Sequence, residues 1–252
     1  MDDHEVQTSP QIYARIGGVL YLIIIIIGTL GEAAVRNTLI VSGDATATAE
    51  RIRASEFLWR VGIAGEILLL VCAVALTLIF YVLLKPVSRN LALLAVFFNL
   101  VSIALEGAAS LHLMETLFPL GNANLLKVFD PKQLDALAYL SIRSHEFGFG
   151  VSLIFFGCVC LVVGYLIYRS GYLPRTVGVL MQIAGLSYLA NSFALILFPS
   201  LAHRLYPAIL LPALVGEASL CLWLLAKGVN VSKWTARAST APAPRAVSSH
   251  SR

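Results

Sequence analysis

The chain has 252 residues, of which 58% are hydrophobic and 13% charged, and its mean hydropathy is +0.83. Soluble domains hold about 45–50% apolar and about 25% charged residues, so an ordinary water-soluble protein is excluded. The formal net charge of +4 gathers at the ends of apolar segments and in the tail, which speaks of topology and lipid headgroups rather than of nucleic acid.

Residues 1–11 read as a polar N-terminal tail. They carry Asp2, Asp3 and Glu5 where a secretory leader would carry bases, so the apolar run that follows is expected to be a retained span. A bilayer core about 30 Å thick takes about 20 helical residues. Six stretches meet that length, at 12–35, 57–84, 91–114, 147–168, 176–198 and 207–226. The expected fold is therefore all-α, a polytopic membrane helix bundle of six transmembrane helices over 12–227, followed by a disordered tail over 228–252.

The two short connections, 85–90 and 169–175, hold Lys85, Arg89, Arg169 and Arg175 and no acid. The positive-inside rule places them in the cytoplasm, and with six spans both termini then lie there too. The tail agrees, with Lys227, Lys233, Arg237, Arg245 and Arg252 unopposed by acid. In the two long connections bases and acids nearly cancel. Asp44 after Gly43, and Asp130 before Pro131, are N-cap signals for helices within these loops. Cys72, Cys158, Cys160 and Cys221 sit inside apolar runs and read as packing residues, neither a disulfide framework nor a thiolate zinc site. No nucleotide-binding, zinc or nucleophile motif is present, no cofactor is implied, and no internal repeat is convincing.

Ionisable groups within membrane spans are costly and by default mark function. Glu32, Glu66, Glu106 and Glu217 all fall in the half of the spans nearer the long connections, and each adjoins a glycine: Gly31, Gly65, Gly107 and Gly216. His112 ends the third span, and His145 with Glu146 opens the fourth. Asn99, Ser102, Glu106 and Ser110 recur at three- and four-residue intervals, so they share one face of the third span, which should meet protein or water. Gly150, Gly157 and Gly164 recur every seventh residue in the fourth, a seam for close packing.

Three readings follow. In the first, Glu66, Glu106 and Glu217, with Glu32, His112 and Asn99 nearby, line an outward-facing polar cavity for a small polar or cationic ligand, for binding or transport. In the second, carboxylates and histidines from different helices form a membrane-embedded enzyme, metal-dependent or not, acting on a lipid or envelope substrate. In the third, arginines such as Arg36, Arg60, Arg143 or Arg204 pair with the glutamates, and the chain is a scaffold or interaction subunit. Lipids are expected partners in all three, and a homo-oligomer is compatible with each.

Several stretches carry a family resemblance. They are Ala14-Arg15-Ile16-Gly17-Gly18-Val19-Leu20-Tyr21-Leu22, Val41-Ser42-Gly43-Asp44-Ala45, Leu84-Lys85-Pro86-Val87, Phe155-Phe156-Gly157 and Gly164-Tyr165-Leu166-Ile167-Tyr168-Arg169-Ser170-Gly171-Tyr172-Leu173-Pro174. Together they resemble a bacterial membrane family catalogued as domain of unknown function 4386, over roughly 14–227. The resemblance implies a six-span bacterial inner-membrane protein and brings no activity or catalytic residue with it.

Overall fold

The computed structural model describes residues 9–121 and 128–240, apart from the side chain of His203. Asp2, Asp3, Glu5 and the tail from 241 onward, with Arg245 and Arg252, lie outside the described residues. Six helices are long and apolar enough to cross a membrane: Pro10–Leu39, Glu56–Leu84, Arg89–Leu120, Pro131–Ser170, Arg175–Leu197 and Ala208–Ala226. The protein is a multi-pass helical bundle.

The first span opens with α1 (Pro10–Leu30), where Ser9 Oγ accepts the Gln11 N–H at 3.3 Å and proline occupies the first turn. It continues through a π-helical turn, Gly31–Arg36, into α2 (Asn37–Leu39). In the first long connection α3 (Ala45–Ala54) starts where expected, with Asp44 Oδ1 accepting from Ala47 N–H at 2.9 Å. The second and third spans are α4 (Glu56–Leu84) and α5 (Arg89–Glu115), the latter prolonged by the short α6 (Leu117–Leu120).

The second long connection departs from expectation. Asp130 and Gln133 form a capping box with Pro131 in the first turn. The helix that starts there does not stop before the fourth span, and α7 (Pro131–Ser170) runs unbroken for 40 residues, about 60 Å and twice the bilayer core. The cause is local: 131–146 contains no internal glycine or proline, and Asp135, Ala138, Ile142 and His145 continue the buried face at helical spacing. Gly171, at φ +75°, ends the helix in the left-handed conformation.

The remaining elements are α8 (Arg175–Leu197), α9 (Pro199–Leu205), a 3-10 turn (Ala208–Leu210), α10 (Leu211–Ala226) and α11 (Val231–Ser239). The last lies where a disordered tail was expected. Asn230 Oδ1 caps it by accepting the Lys233 N–H at 3.1 Å, and Trp234 Nε1 donates to Leu83 O at 3.0 Å, anchoring it to the end of α4.

Each span packs on its neighbour in the chain, and α10 packs back on α1, so the six close into a ring. The glycine seam forms the α7–α8 contact. A Cβ on Gly164 would stand 2.6 Å from Gly178 O, and one on Gly185 2.6 Å from Gly157 O, so the two backbones touch where both helices lack side chains. Large apolar residues such as Val71, Leu78, Phe97 and Leu222 are more than half exposed, a surface suited to lipid rather than water.

Two buried clusters hold the ring. The larger joins Ala14, Leu83, Leu166, Met181 and Leu220 towards the end where the described chain begins and finishes. At that end Gln11 Nε2 donates to Lys227 O at 3.0 Å and Val229 N–H donates to Gln11 Oε1 at 2.9 Å. The smaller joins Val35, Leu39, Ile52, Trp59, Ile63, Leu113 and Ile142 at the opposite, loop-rich end. Trp59 is buried there and donates Nε1–H to Leu113 O at 3.0 Å. Arg53 binds Asp135 at 2.7 Å and Gly43 N–H donates to Tyr139 Oη at 2.8 Å, so the first long connection is pinned to the extension of α7.

Candidate functional site

The loop-rich half of the bundle gathers its carboxylates into two groups. Glu66, on α4, is the centre of the first. Arg36 Nη1 lies 2.7 Å from Glu66 Oε2, while the Arg36 Nε–H donates to Glu32 Oε2 at 2.8 Å. One guanidinium thus bridges two acids. The π-helical turn positions it: the Asn37 N–H donates to Glu32 O, five residues back, and the widened turn carries Glu32 and Arg36 together towards α4.

The other oxygen of Glu66 is equally engaged. Ser110 Oγ lies 2.7 Å from Glu66 Oε1 and 2.9 Å from Glu106 O, so its single proton serves one acceptor at a time. His145 Nε2 lies 2.9 Å from the same Oε1, where an ionised carboxylate requires the ring nitrogen to donate. Phe149 stacks on the imidazole, with ring centroids 6.1 Å apart and planes 6° apart. Glu66, Ser110 and His145 are all buried, and their hydrogen bonds and the guanidinium offset the desolvation of the charge. Tyr206, between the fifth and sixth spans, donates to Glu32 Oε1 at 2.8 Å. Burial and the Glu32 carboxylate push its hydroxyl above the ordinary tyrosine range.

Glu217, on α10, is the centre of the second group and has no cation within salt-bridge distance among the described residues. Tyr188 donates to it in a close contact, and the Tyr21 hydroxyl also faces it. Aromatic edges support both tyrosines, Phe156 on Tyr188 at 5.4 Å and Phe80 on Tyr21 at 5.9 Å. Glu106 stands between the groups. Its carboxylate, in the field of Glu66, Arg36 and Glu217, receives no hydrogen bond and no salt bridge among the described residues.

The predicted stripe on the third span does face protein: Asn99, Ser102 and Ser110 are buried, with Ser102 Oγ donating to Ser152 O at 3.0 Å. Two predicted site residues nevertheless stay apart. Asn99 lies two turns from Glu106, donates to Thr77 Oγ1 at 2.6 Å and lines a cavity of about 10 Å³ with Phe80 and Val159, room for about one water. His112 turns to the surface and pairs with Glu115 at 2.7 Å, because on α5 it lies off the Asn99–Ser110 face. The histidine in the cluster is His145, and the signal for it was the buried spacing Asp135, Ala138, Ile142, His145, Ser152 along α7.

Of the glycines beside the glutamates, Gly216 permits close approach, since a Cβ there would stand 2.7 Å from Leu180 O. At Gly107 the nearest atom would be at 3.5 Å, an ordinary contact, so that glycine is not required by packing. Among the described residues no three His, Cys, Asp or Glu side chains converge as a metal site would need.

A family model described as domain of unknown function (DUF4386) matches residues 16–228. The chain belongs to the DUF4386 family. The match agrees with the residues that carried the resemblance. A relative in Archaeoglobus fulgidus, described as an uncharacterized protein, is 29% identical over 171 residues, which is 68% of this chain and 86% of the relative. No solved structure matches the chain. DUF4386 membership and the six-span bundle thus agree, and function rests on the geometry of the carboxylates.

Proposed function

We propose that the chain binds a small polar or cationic ligand among Glu66, Glu106 and Glu217, as a step in its transport across the membrane that holds it. The observation that carries this reading is the Glu106 carboxylate, which stands between two engaged ones with no hydrogen bond or salt bridge among the described residues. Arg36 and His145 both engage Glu66, and among the described residues neither they nor any other cation forms a salt bridge with Glu106 or Glu217. A cation entering beside Glu106 supplies charge that the protein does not.

A second reading, a scaffold with structural ion pairs, is favoured by Arg36 bridging Glu32 and Glu66 and by Tyr188 holding Glu217. Thermal stability of the detergent-purified chain with sodium, potassium, guanidinium or tetramethylammonium separates the two. The ligand reading expects at least one of these ions to raise the melting temperature in wild type and not in Glu106→Gln. Absence of any response in wild type, or the same response in the variant, favours the scaffold.

The same reading sets the chain in the cytoplasmic membrane, with the connections 85–90 and 169–175 inside the cell. The bases Lys85, Arg89, Arg169 and Arg175 support that orientation. Impermeant thiol labelling in intact cells tests it, with single cysteines placed at Ser88 and at Thr46 on a background lacking the four native ones. Labelling at Thr46 and protection at Ser88 is the expected pattern.

A further inference from the structure

The end of the bundle opposite the carboxylates carries Lys85 and Arg89 in one connection, Arg169 and Arg175 in the other, and Lys227, Lys233 and Arg237 after the last span. None of these seven makes a salt bridge among the described residues. The charges are also not spread evenly. Lys85, Arg89 and Arg237 converge on one cleft of about 650 Å³, together with Tyr81, Ser88 and Thr240.

The cleft is built by packing and not by side-chain chance. Tyr172 donates its hydroxyl to Leu83 O at 2.6 Å, and Trp234 Nε1 donates to the same carbonyl, so α11 is fastened across the end of α4. Arg237, one turn further along α11, is half-buried and reaches Ser170 O at 3.4 Å. Lys85 stands over the ring of Tyr81 at 5.9 Å. The wall of the cleft is therefore a helix lying across the ends of the spans, in the layer where headgroups reside.

From this geometry we infer that the cleft of Lys85, Arg89 and Arg237 binds the phosphate-bearing headgroup of an anionic phospholipid. Three cations that make no salt bridge among the described residues, converging on one cleft, suit a phosphodiester. The acyl chains have a path as well. Leu78, seven residues before Lys85 and so on the same face of α4, is 61% exposed, and Phe97 on the adjoining α5 is 62% exposed. A lipid seated here keeps its charge in the cleft and its tails along the apolar surface. The chain's own acids do not match these bases in number: in the segments before, between and after the spans that meet at this end, the sequence offers Asp2, Asp3 and Glu5 against nine bases, the seven above with Arg245 and Arg252.

The test uses the full chain in nanodiscs of phosphatidylcholine doped with increasing phosphatidylglycerol, with retained lipid counted by native mass spectrometry. Wild type is expected to retain phosphatidylglycerol selectively. Lys85→Gln/Arg89→Gln/Arg237→Gln is expected to lose affinity by about 100-fold, about fivefold per cation. Arg169→Gln/Arg175→Gln, at the same end but outside the cleft, is expected to stay within about threefold of wild type. An unaltered melting temperature in lipid-free detergent shows that the triple variant is folded; if it is not, the three single substitutions are measured instead. Equal retention of the two lipids by wild type overturns the inference, as does an undiminished affinity in the cleft variants. A loss as large in the control pair would reduce the effect to general charge attraction. Glycerol phosphate binding as tightly as the lipid would assign the cleft to a soluble anion.

Discussion

Arg36 and Glu66 stand 30 residues apart in the chain and 2.7 Å apart in the fold, and the same guanidinium holds Glu32. The pair ties the end of the first span to the interior of the second, at a depth where an unpaired charge is expensive. What it predicts is an asymmetry between breaking the pair and removing it.

Arg36→Met is expected to destabilise the protein by about 3 kcal/mol, because Glu66 stays buried with only Ser110 and His145 to serve it. Arg36→Met combined with Glu66→Met should cost much less than the sum of the single changes. Equilibrium unfolding in mixed detergent micelles measures the cycle, and strict additivity would show that the contact contributes nothing to folding.

Glu106→Gln is expected to fold as wild type does, within about 0.5 kcal/mol, since its carboxylate has no hydrogen bond to lose among the described residues. Glu66→Gln, which gives up a contact with Arg36 and alters those with Ser110 and His145, should fall by about 2 kcal/mol. The same unfolding measurement ranks the two. A Glu106→Gln as unstable as Glu66→Gln would mean that Glu106 is a structural residue.

Gly164→Ala is expected to cost about 1–3 kcal/mol, because the new methyl meets the Gly178 carbonyl at 2.6 Å, a backbone atom that cannot turn aside. Gly107→Ala, whose methyl would meet Leu70 Cδ1 at 3.5 Å, should be tolerated and even favoured by its helix propensity. Thermal melting of both variants beside wild type checks the contrast.

Tyr172 lies in the connection between α7 and α8 and predicts a response to alkali. Burial lifts its hydroxyl above the ordinary range, against a smaller opposing pull from Arg237. The folded state therefore holds that proton more tightly than the unfolded chain does. Its contribution is complete below a pH of about 10 and is lost as the pH climbs beyond that value. Tyr172→Phe should cost about 1 kcal/mol at neutral pH, moderated because Trp234 still donates to Leu83 O. It should also show a shallower decline in melting temperature than wild type as the pH rises above about 10, which a pH series of melts reads directly.

Much of this architecture was legible in the sequence for a simple reason. Apolar runs of spanning length leave few alternatives in a bilayer, and both Asp44 and Asp130 cap helices where their neighbours implied. The glycine seam was readable because a period of seven keeps residues on one side of a helix. The site was readable only by depth. Glu66 and Glu106 lie in the half foreseen for them, but which histidine joins them depends on rotation about the helix axis and on where a helix starts. His112 was favoured for ending a span, yet α5 turns it to the surface; His145 was placed at a span's opening, and the unbroken α7 carries it into the interior. Tyr21 was missed as a partner of Glu217 because α1 and α10 meet across nearly the whole chain, and Tyr188, 29 residues from Glu217 on the preceding span, because its facing depends on rotation about the helix axis.

The uninterrupted course of α7 joins places that the chain otherwise keeps separate. Asp135 near its start holds the first long connection through Arg53, His145 more than a third of the way along meets Glu66, and Ser170 at its finish receives Arg237 from the wall of the basic cleft. A tilt of so long a rod, about 60 Å from end to end, at one mouth of the bundle would be a sideways displacement at the other.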